Sequence, residues 1–188
     1  KKQFFYLKKI DKNLPNSIGS VYIKKTNNLE KNLQYNNFNI LKDIINKKKH
    51  LIDLPKKDDL VIHLRIGDII RGSKNNIKFK NNFWYGTDIS KLDNTLNEIK
   101  KNIKFNKVYL VYGSHDKDIS LHLNNKYLDN VKKMLKKNNI IPILRNTNPD
   151  DDFIFMSQSK YFVRSGGGFS NIISELVKKN KGIVYIPK

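Results

Sequence analysis

The sequence predicts an α/β fold, a doubly wound domain built on a parallel five-stranded sheet. Three observations carry that prediction. Five short, near-continuously apolar runs occur at Leu60–Leu64, Val108–Tyr112, Ile140–Leu144, Tyr161–Val163 and Ile183–Ile186, the pattern of strands covered on both faces. Segments of helical periodicity separate them, the alternation that builds parallel sheets. Residues suited to ligand chemistry follow the runs directly, where sheets of this class bind their ligands.

The elements follow in order. Residues 1–36 carry little pattern: Phe4–Leu7 and Ser20–Ile23 read as short strands, and Asn13–Ser17 around Pro15 reads as a turn. From Asn37 to Leu51 the apolar residues Phe38, Ile40, Leu41, Ile44 and Ile45 recur at helical spacing, and Pro55 with Lys56–Asp59 closes the segment. Residues 1–50 are thus expected to form an N-terminal appendage and 51–188 the main domain. After the first run, the Asn/Lys-rich stretch Ser73–Asn82 is expected to be a mobile loop. Asp88–Ile103 is a helix capped by Asp88, with Ile89, Leu92, Leu96 and Ile99 inward. Tyr127–Lys137 is helical through Leu128, Val131, Met134 and Leu135, and Asp150–Ser159 is a short helix. Phe169–Lys179 is a helix with Ile172, Ile173, Leu176 and Val177 inward.

Composition excludes several classes. No run of about 18 apolar residues is present, so nothing in the chain spans a membrane. Cysteine is absent, which removes disulfides, thiolate metal sites and cysteine nucleophiles. A cytoplasmic location is the expectation, with any targeting segment lying upstream of Lys1. The formal net charge of +20 invites a nucleic-acid reading. Against it, the lysines are scattered, and Lys, Asn and Ile are enriched together as AT-rich coding would produce. Arginine, the better fork for phosphate and guanine, occurs only at 65, 71, 145 and 164. No specific nucleic-acid partner is expected.

Three constellations carry chemistry. In His63-Leu64-Arg65-Ile66-Gly67-Asp68, strand alternation sends His63 and Arg65 to one face at the strand exit. Arg65 there suits bidentate phosphate binding, and Gly67 permits a sharp turn or close ligand approach. The competing reading is a core histidine with a structural Arg65–Asp68 ion pair. Ser165-Gly166-Gly167-Gly168-Phe169-Ser170 is a glycine-rich turn between strand and helix, an anion site by virtue of free amides and the helix dipole. Its plainer reading is a flexible turn with Ser170 as helix cap. It is neither a phosphate loop ending in Gly-Lys-Ser/Thr nor a GxGxxG fingerprint. Asp150-Asp151-Asp152 reads either as acidic capping at a helix start or as a carboxylate for a guanine edge. The histidines lack metal-ligand spacing, so no metal is expected.

At these residues the chain resembles the fucosyltransferase superfamily of GT-B glycosyltransferases, which includes the protein O-fucosyltransferases and the alpha-1,2- and alpha-1,6-fucosyltransferases. Val61 to Asp68 is similar to their His-x-Arg motif, Val108 to Asp116 to their second motif, and Asp152 to Glu175 to their third. The resemblance covers roughly Asp58 to Lys188. It implies that 51–188 is the Rossmann-like nucleotide-sugar-binding half of a GT-B fold. Residues 1–50 are then a remnant of the acceptor domain, unless that domain lies upstream. It further implies an inverting transferase that needs no metal or other cofactor. Such an enzyme moves a sugar, fucose among the candidates, from a GDP-sugar donor to a glycan or protein hydroxyl. Arg65 would bind the donor β-phosphate and act catalytically with Asp68, while Asp68 and Asp116 are the candidate bases. His63, Gly67 and Gly113 would line the donor pocket, Asp152 would bind guanine, and Ser165 with Gly167, Gly168, Phe169 and Ser170 would hold the diphosphate. Two departures stand out: Ile66 replaces a second Arg, and Gly167 and Gly168 replace serines, so backbone amides would act for hydroxyls. The rival functions are a non-catalytic nucleotide-binding domain of the same fold and a lysine-driven nucleic-acid-binding protein.

Overall fold

A computed structural model describes residues 41–67, 69–73, 76–79, 86–114 and 121–187. The strands and turn expected before residue 37, and the candidate bases Asp68 and Asp116, lie outside these residues.

The chain divides into two compact units. In the first, which includes 41–54 and Thr147–Phe155, helix α1 (41–48) runs into a 3-10 turn at Lys49–Leu51. Leu41, Ile44 and Ile45 are its buried residues, an i, i+3, i+4 stripe as the periodicity predicts. Lys48 pairs with Asp150 at 3.9 Å.

The second unit, Pro55–Asn146 with Met156–Lys188, holds the sheet. Its elements are β1 (Leu60–Ile66), β2 (Ile70–Ser73), β3 (Asn76–Phe79), α2 (Ile89–Asn102), β4 (Val108–Ser114), α3 (Leu121–Lys137), β5 (Ile143–Arg145), β6 (Tyr161–Val163), α5 (Gly168–Lys179) and β7 (Ile183–Tyr185). Helix α4 (Pro149–Ser157) begins in the first unit and ends in the second. The five main strands are parallel in the order β5-β4-β1-β6-β7. Counting those strands alone, the order is 3-2-1-4-5, and the chain reverses direction across the sheet between β1 and β6. That is the switch point at which open α/β sheets bind ligands. The fold is therefore the α/β architecture with a five-stranded parallel sheet that the strand–helix alternation predicts.

Alternation along β1 separates two faces. Leu60, Ile62, Leu64 and Ile66 join Leu92, Leu96 and Ile99 of α2 and Tyr127, Val131 and Leu135 of α3 in one core. Each such buried side chain contributes roughly 1.5–3 kcal/mol relative to exposure. Val61 and His63 face the other way, toward the side covered by α5, whose Ile172, Ile173, Leu176 and Val177 are buried.

Four local expectations are corrected. The stretch expected to be a loop at Ser73–Asn82 instead contributes to an antiparallel hairpin, with Ile70 opposite Phe79 and Gly72 opposite Ile77. Phe79 stacks edge-on against Tyr127 at 5.3 Å, which gives the hairpin an apolar anchor. Strand β5 starts at Ile143 and not at Ile140, because Pro142 has no N–H for a ladder. Helix α3 begins at Leu121, six residues before the expected start, since its first turns carry polar residues. Helix α4 runs from Pro149 to Ser157, so it stops two residues short of the expected Ser159.

The cap on α2 is as expected. The Asp88 carboxylate accepts from the Ser90 hydroxyl at 2.5 Å and from the backbone N–H groups of Ser90 (2.8 Å) and Lys91 (3.3 Å). These donors, the Ser90 hydroxyl foremost, hold the Asp88 carboxyl below the usual carboxylate range. A carboxyl whose folded pKa is depressed stabilises the fold above its unfolded pKa of ~3.9 and loses that contribution as pH falls through the folded value. Asp88→Ala is thus expected to cost about 1 kcal/mol at neutral pH. Urea melts of both proteins should show the gap closing at acid pH, and a gap independent of pH would mean the carboxylate charge is not what caps the helix.

Candidate functional site

The site forms where β1 and β6 end side by side. β1 pairs with β6 through Leu60↔Tyr161, Val61↔Phe162 and Ile62↔Val163, so His63 and Arg65 leave the sheet beside the turn that follows β6. The His63 ring, 8% exposed, sets Nδ1 2.7 Å from Ser165 Oγ and 3.1 Å from Ser170 Oγ. One imidazole nitrogen therefore engages both ends of the glycine turn. The Phe169 ring lies tilted against the His63 ring at a centroid distance of 5.6 Å.

The turn itself is built on Gly167. Its backbone, at φ 93° and ψ 166°, is a conformation that side chains with a Cβ essentially do not adopt. Gly167 is the N-cap of α5 and contributes no side-chain cap. The reading of Ser170 as the cap is therefore corrected: Ser170 sits one turn inside the helix, fully buried, with its hydroxyl turned to His63. The contrast with α2 is chemical. Helix α2 starts on a carboxylate that occupies its first amides, whereas α5 starts on a bare glycine at the switch point. An uncapped helix start of this kind favours an anion.

The other expected residues fall as follows. Arg65 is half-buried, and its register partner on β4 is Gly113, an exposed glycine with open space where a Cβ would stand. Register partners in a parallel pair share a face, so the missing side chain leaves room beside Arg65. Gly67 has φ 97°, which requires glycine, and its carbonyl accepts from Ile70 N at 2.9 Å to close the turn after β1. Asp152 belongs to the other compact unit and is buried, and its two oxygens accept from Thr147 N (3.0 Å) and Thr147 Oγ1 (2.6 Å). Those bonds fix the carboxylate. The side-chain cap at this helix start is Asn148, whose Oδ1 accepts from Asp151 N at 2.9 Å and whose amide donates to the Asp151 carboxylate.

One site residue was missed by pattern reading. Asn124, buried on α3, accepts the Gly67 N–H through Oδ1 at 3.0 Å and so holds the turn after Arg65. Its signal is present in hindsight: Asn124 continues the inward stripe of Tyr127, Leu128 and Val131, and a polar residue on such a stripe needs a partner. Among the described residues no group of three or more carboxylate, histidine or cysteine side chains gathers, and no helix is long and apolar enough to cross a membrane.

No family model and no curated protein matches the chain. Among solved structures, similar ones are crystal structures of POFUT1. Crystal form II with GDP-fucose is 14% identical, with a TM-score of 0.41, over 77% of this chain and 45% of that one. The GDP complex is 13% identical, with a TM-score of 0.36, over 77% and 46%. Crystal form I with GDP-fucose is 12% identical, with a TM-score of 0.39, over 92% and 50%. The chain spans about half the length of each of these structures.

Proposed function

We propose that this chain carries the donor-binding half of an inverting, metal-independent glycosyltransferase that moves a sugar, with fucose the leading candidate, from a GDP-sugar to a hydroxyl acceptor. The observation that carries the reading is the uncapped start of α5, held at both ends by His63 and set beside Arg65 at the sheet's switch point. In such a reaction negative charge grows on the departing diphosphate. A guanidinium fork and oriented backbone amides are suited to neutralise it, and each such donor is worth ~2.7–4 kcal/mol when removed. Asp152, locked by Thr147, is the proposed guanine acceptor, and Asp68 the proposed base.

Nucleotide choice provides the direct test. In thermal melts, GDP is expected to raise the melting temperature more than UDP, ADP or dTDP. A ligand at about 100 times its Kd adds ~2.7 kcal/mol of stability. Asp152→Asn should weaken GDP and narrow its lead. Equal shifts from all four would mean that only the diphosphate is recognised, and no shift from any would remove the nucleotide site altogether.

A further inference from the structure

A cavity opens on Ser165 and Gly166 of the glycine turn, and its other walls come from residues that have no part in the donor reading. Arg164 follows directly from β6, and Asp88 and Lys91 come from the start of α2. Ile186 and Pro187, after β7, form an apolar wall. Its mixed lining of charged and apolar residues suits a charged group carried on a carbon skeleton.

The charges decide which group. Arg164 is half-buried, and among the described residues its guanidinium makes no hydrogen bond or ion pair; only its backbone N–H is engaged, to Tyr185 O at 3.0 Å. A guanidinium has five N–H donors in a rigid fork, and partial burial restricts the water that would otherwise satisfy them. Asp88, on the same wall, spends one of its oxygens on three donors of its own helix and makes no ion pair with Arg164. Lys91 lines the same wall, so two cationic side chains and one carboxylate border the cavity. The apolar side at Ile186 and Pro187 suits the carbon skeleton that carries the anion.

We infer that this cavity is a second oxyanion subsite, in which the Arg164 fork takes the carboxylate or phosphate of an acidic sugar. Its role as an acceptor subsite rests on the donor reading above; the oxyanion site itself does not. The full chain, wild type and as Arg164→Gln and Arg164→Lys, is titrated calorimetrically with glucuronate, glucose 6-phosphate, inorganic phosphate and neutral glucose, and separately with GDP. Thermal melts verify that each variant is folded.

Wild type should bind at least one acidic sugar about tenfold or more tightly than glucose, the size of effect a charge-assisted bidentate pair gives. Arg164→Gln should lose that preference, Arg164→Lys should keep part of it, and both should bind GDP as wild type does. Preference for glucuronate identifies a carboxylate, and preference for glucose 6-phosphate or inorganic phosphate a phosphate. The inference is overturned if glucose binds as well as the acidic sugars, or if folded Arg164→Gln retains the preference. It also falls if that variant weakens GDP in parallel, because the cavity then belongs to the donor site. Should GDP fail to bind while acidic sugars still depend on Arg164, the donor reading falls and the oxyanion site stands.

Discussion

Replacing Arg65 by lysine is expected to leave the fold intact and slow transfer from a GDP-sugar about a hundredfold. Lysine is the default cation of this chain, so a guanidinium at the exit of β1 is a departure from its habit. The fork makes two parallel bonds to a phosphate, whereas an ammonium offers a point charge. Much of the ground-state affinity for GDP should therefore survive in Arg65→Lys, while Arg65→Ala should lose affinity and transfer together. The competing reading makes Arg65 a structural ion partner. Asp59 is excluded from that part: it precedes β1 and Arg65 lies near its far end, about 20 Å away at ~3.3 Å per residue. Its carboxylate instead takes Lys56 N at 2.8 Å. Stability and turnover measured on the same samples separate the readings. Normal turnover in folded Arg65→Ala would remove Arg65 from the chemistry.

Gly167→Ala is expected to destabilise the fold by about 1–3 kcal/mol and to abolish GDP binding in whatever remains folded. The stability loss follows from forcing a Cβ into φ 93°, ψ 166°, a region reserved for glycine. The binding loss follows from the geometry of the start of α5, since any relaxation of Gly167 re-aims the first amides of the helix. Gly113→Ala is the matched control. An added methyl there meets nothing within 4 Å, so stability should stay within about 0.5 kcal/mol of wild type. Parallel melts decide the matter, and a Gly167→Ala protein as stable as Gly113→Ala and as GDP-competent as wild type would show that the turn does not depend on its glycine.

The centre of the sheet was legible because β1 and β4 are largely buried, whereas the edge strands β5 and β7 are partly exposed. Leu60-Val61-Ile62 and Val108-Tyr109-Leu110-Val111 stand out against a Lys/Asn background that supplies little other apolar signal. The hairpin β2–β3 was not legible. Arg71, Gly72, Asn76 and Lys78 dilute its alternation, and what holds it is tertiary, the packing of Phe79 on Tyr127. The meeting of His63 with the glycine turn was half legible. The strand-end rule placed both on the ligand-binding edge, but the single ring nitrogen shared by Ser165 and Ser170 depends on β6 lying next to β1. Asn124 and the Arg164 cavity escaped for the same reason: each joins segments far apart in sequence, and neither has a local pattern.

The central position of β1 bears on how the chain reaches its native state. β1 is the first strand of the parallel sheet to be made and the one that needs two neighbours, β4 beginning at Val108 and β6 beginning at Tyr161. Until the second has left the ribosome, an almost wholly apolar strand presents an open hydrogen-bonding edge. Such long-range parallel pairing folds slowly and leaves intermediates exposed to association. Truncation just before Tyr161 should therefore yield an aggregating nascent chain, with the dense lysines around the strands as its main protection against edge-to-edge contact.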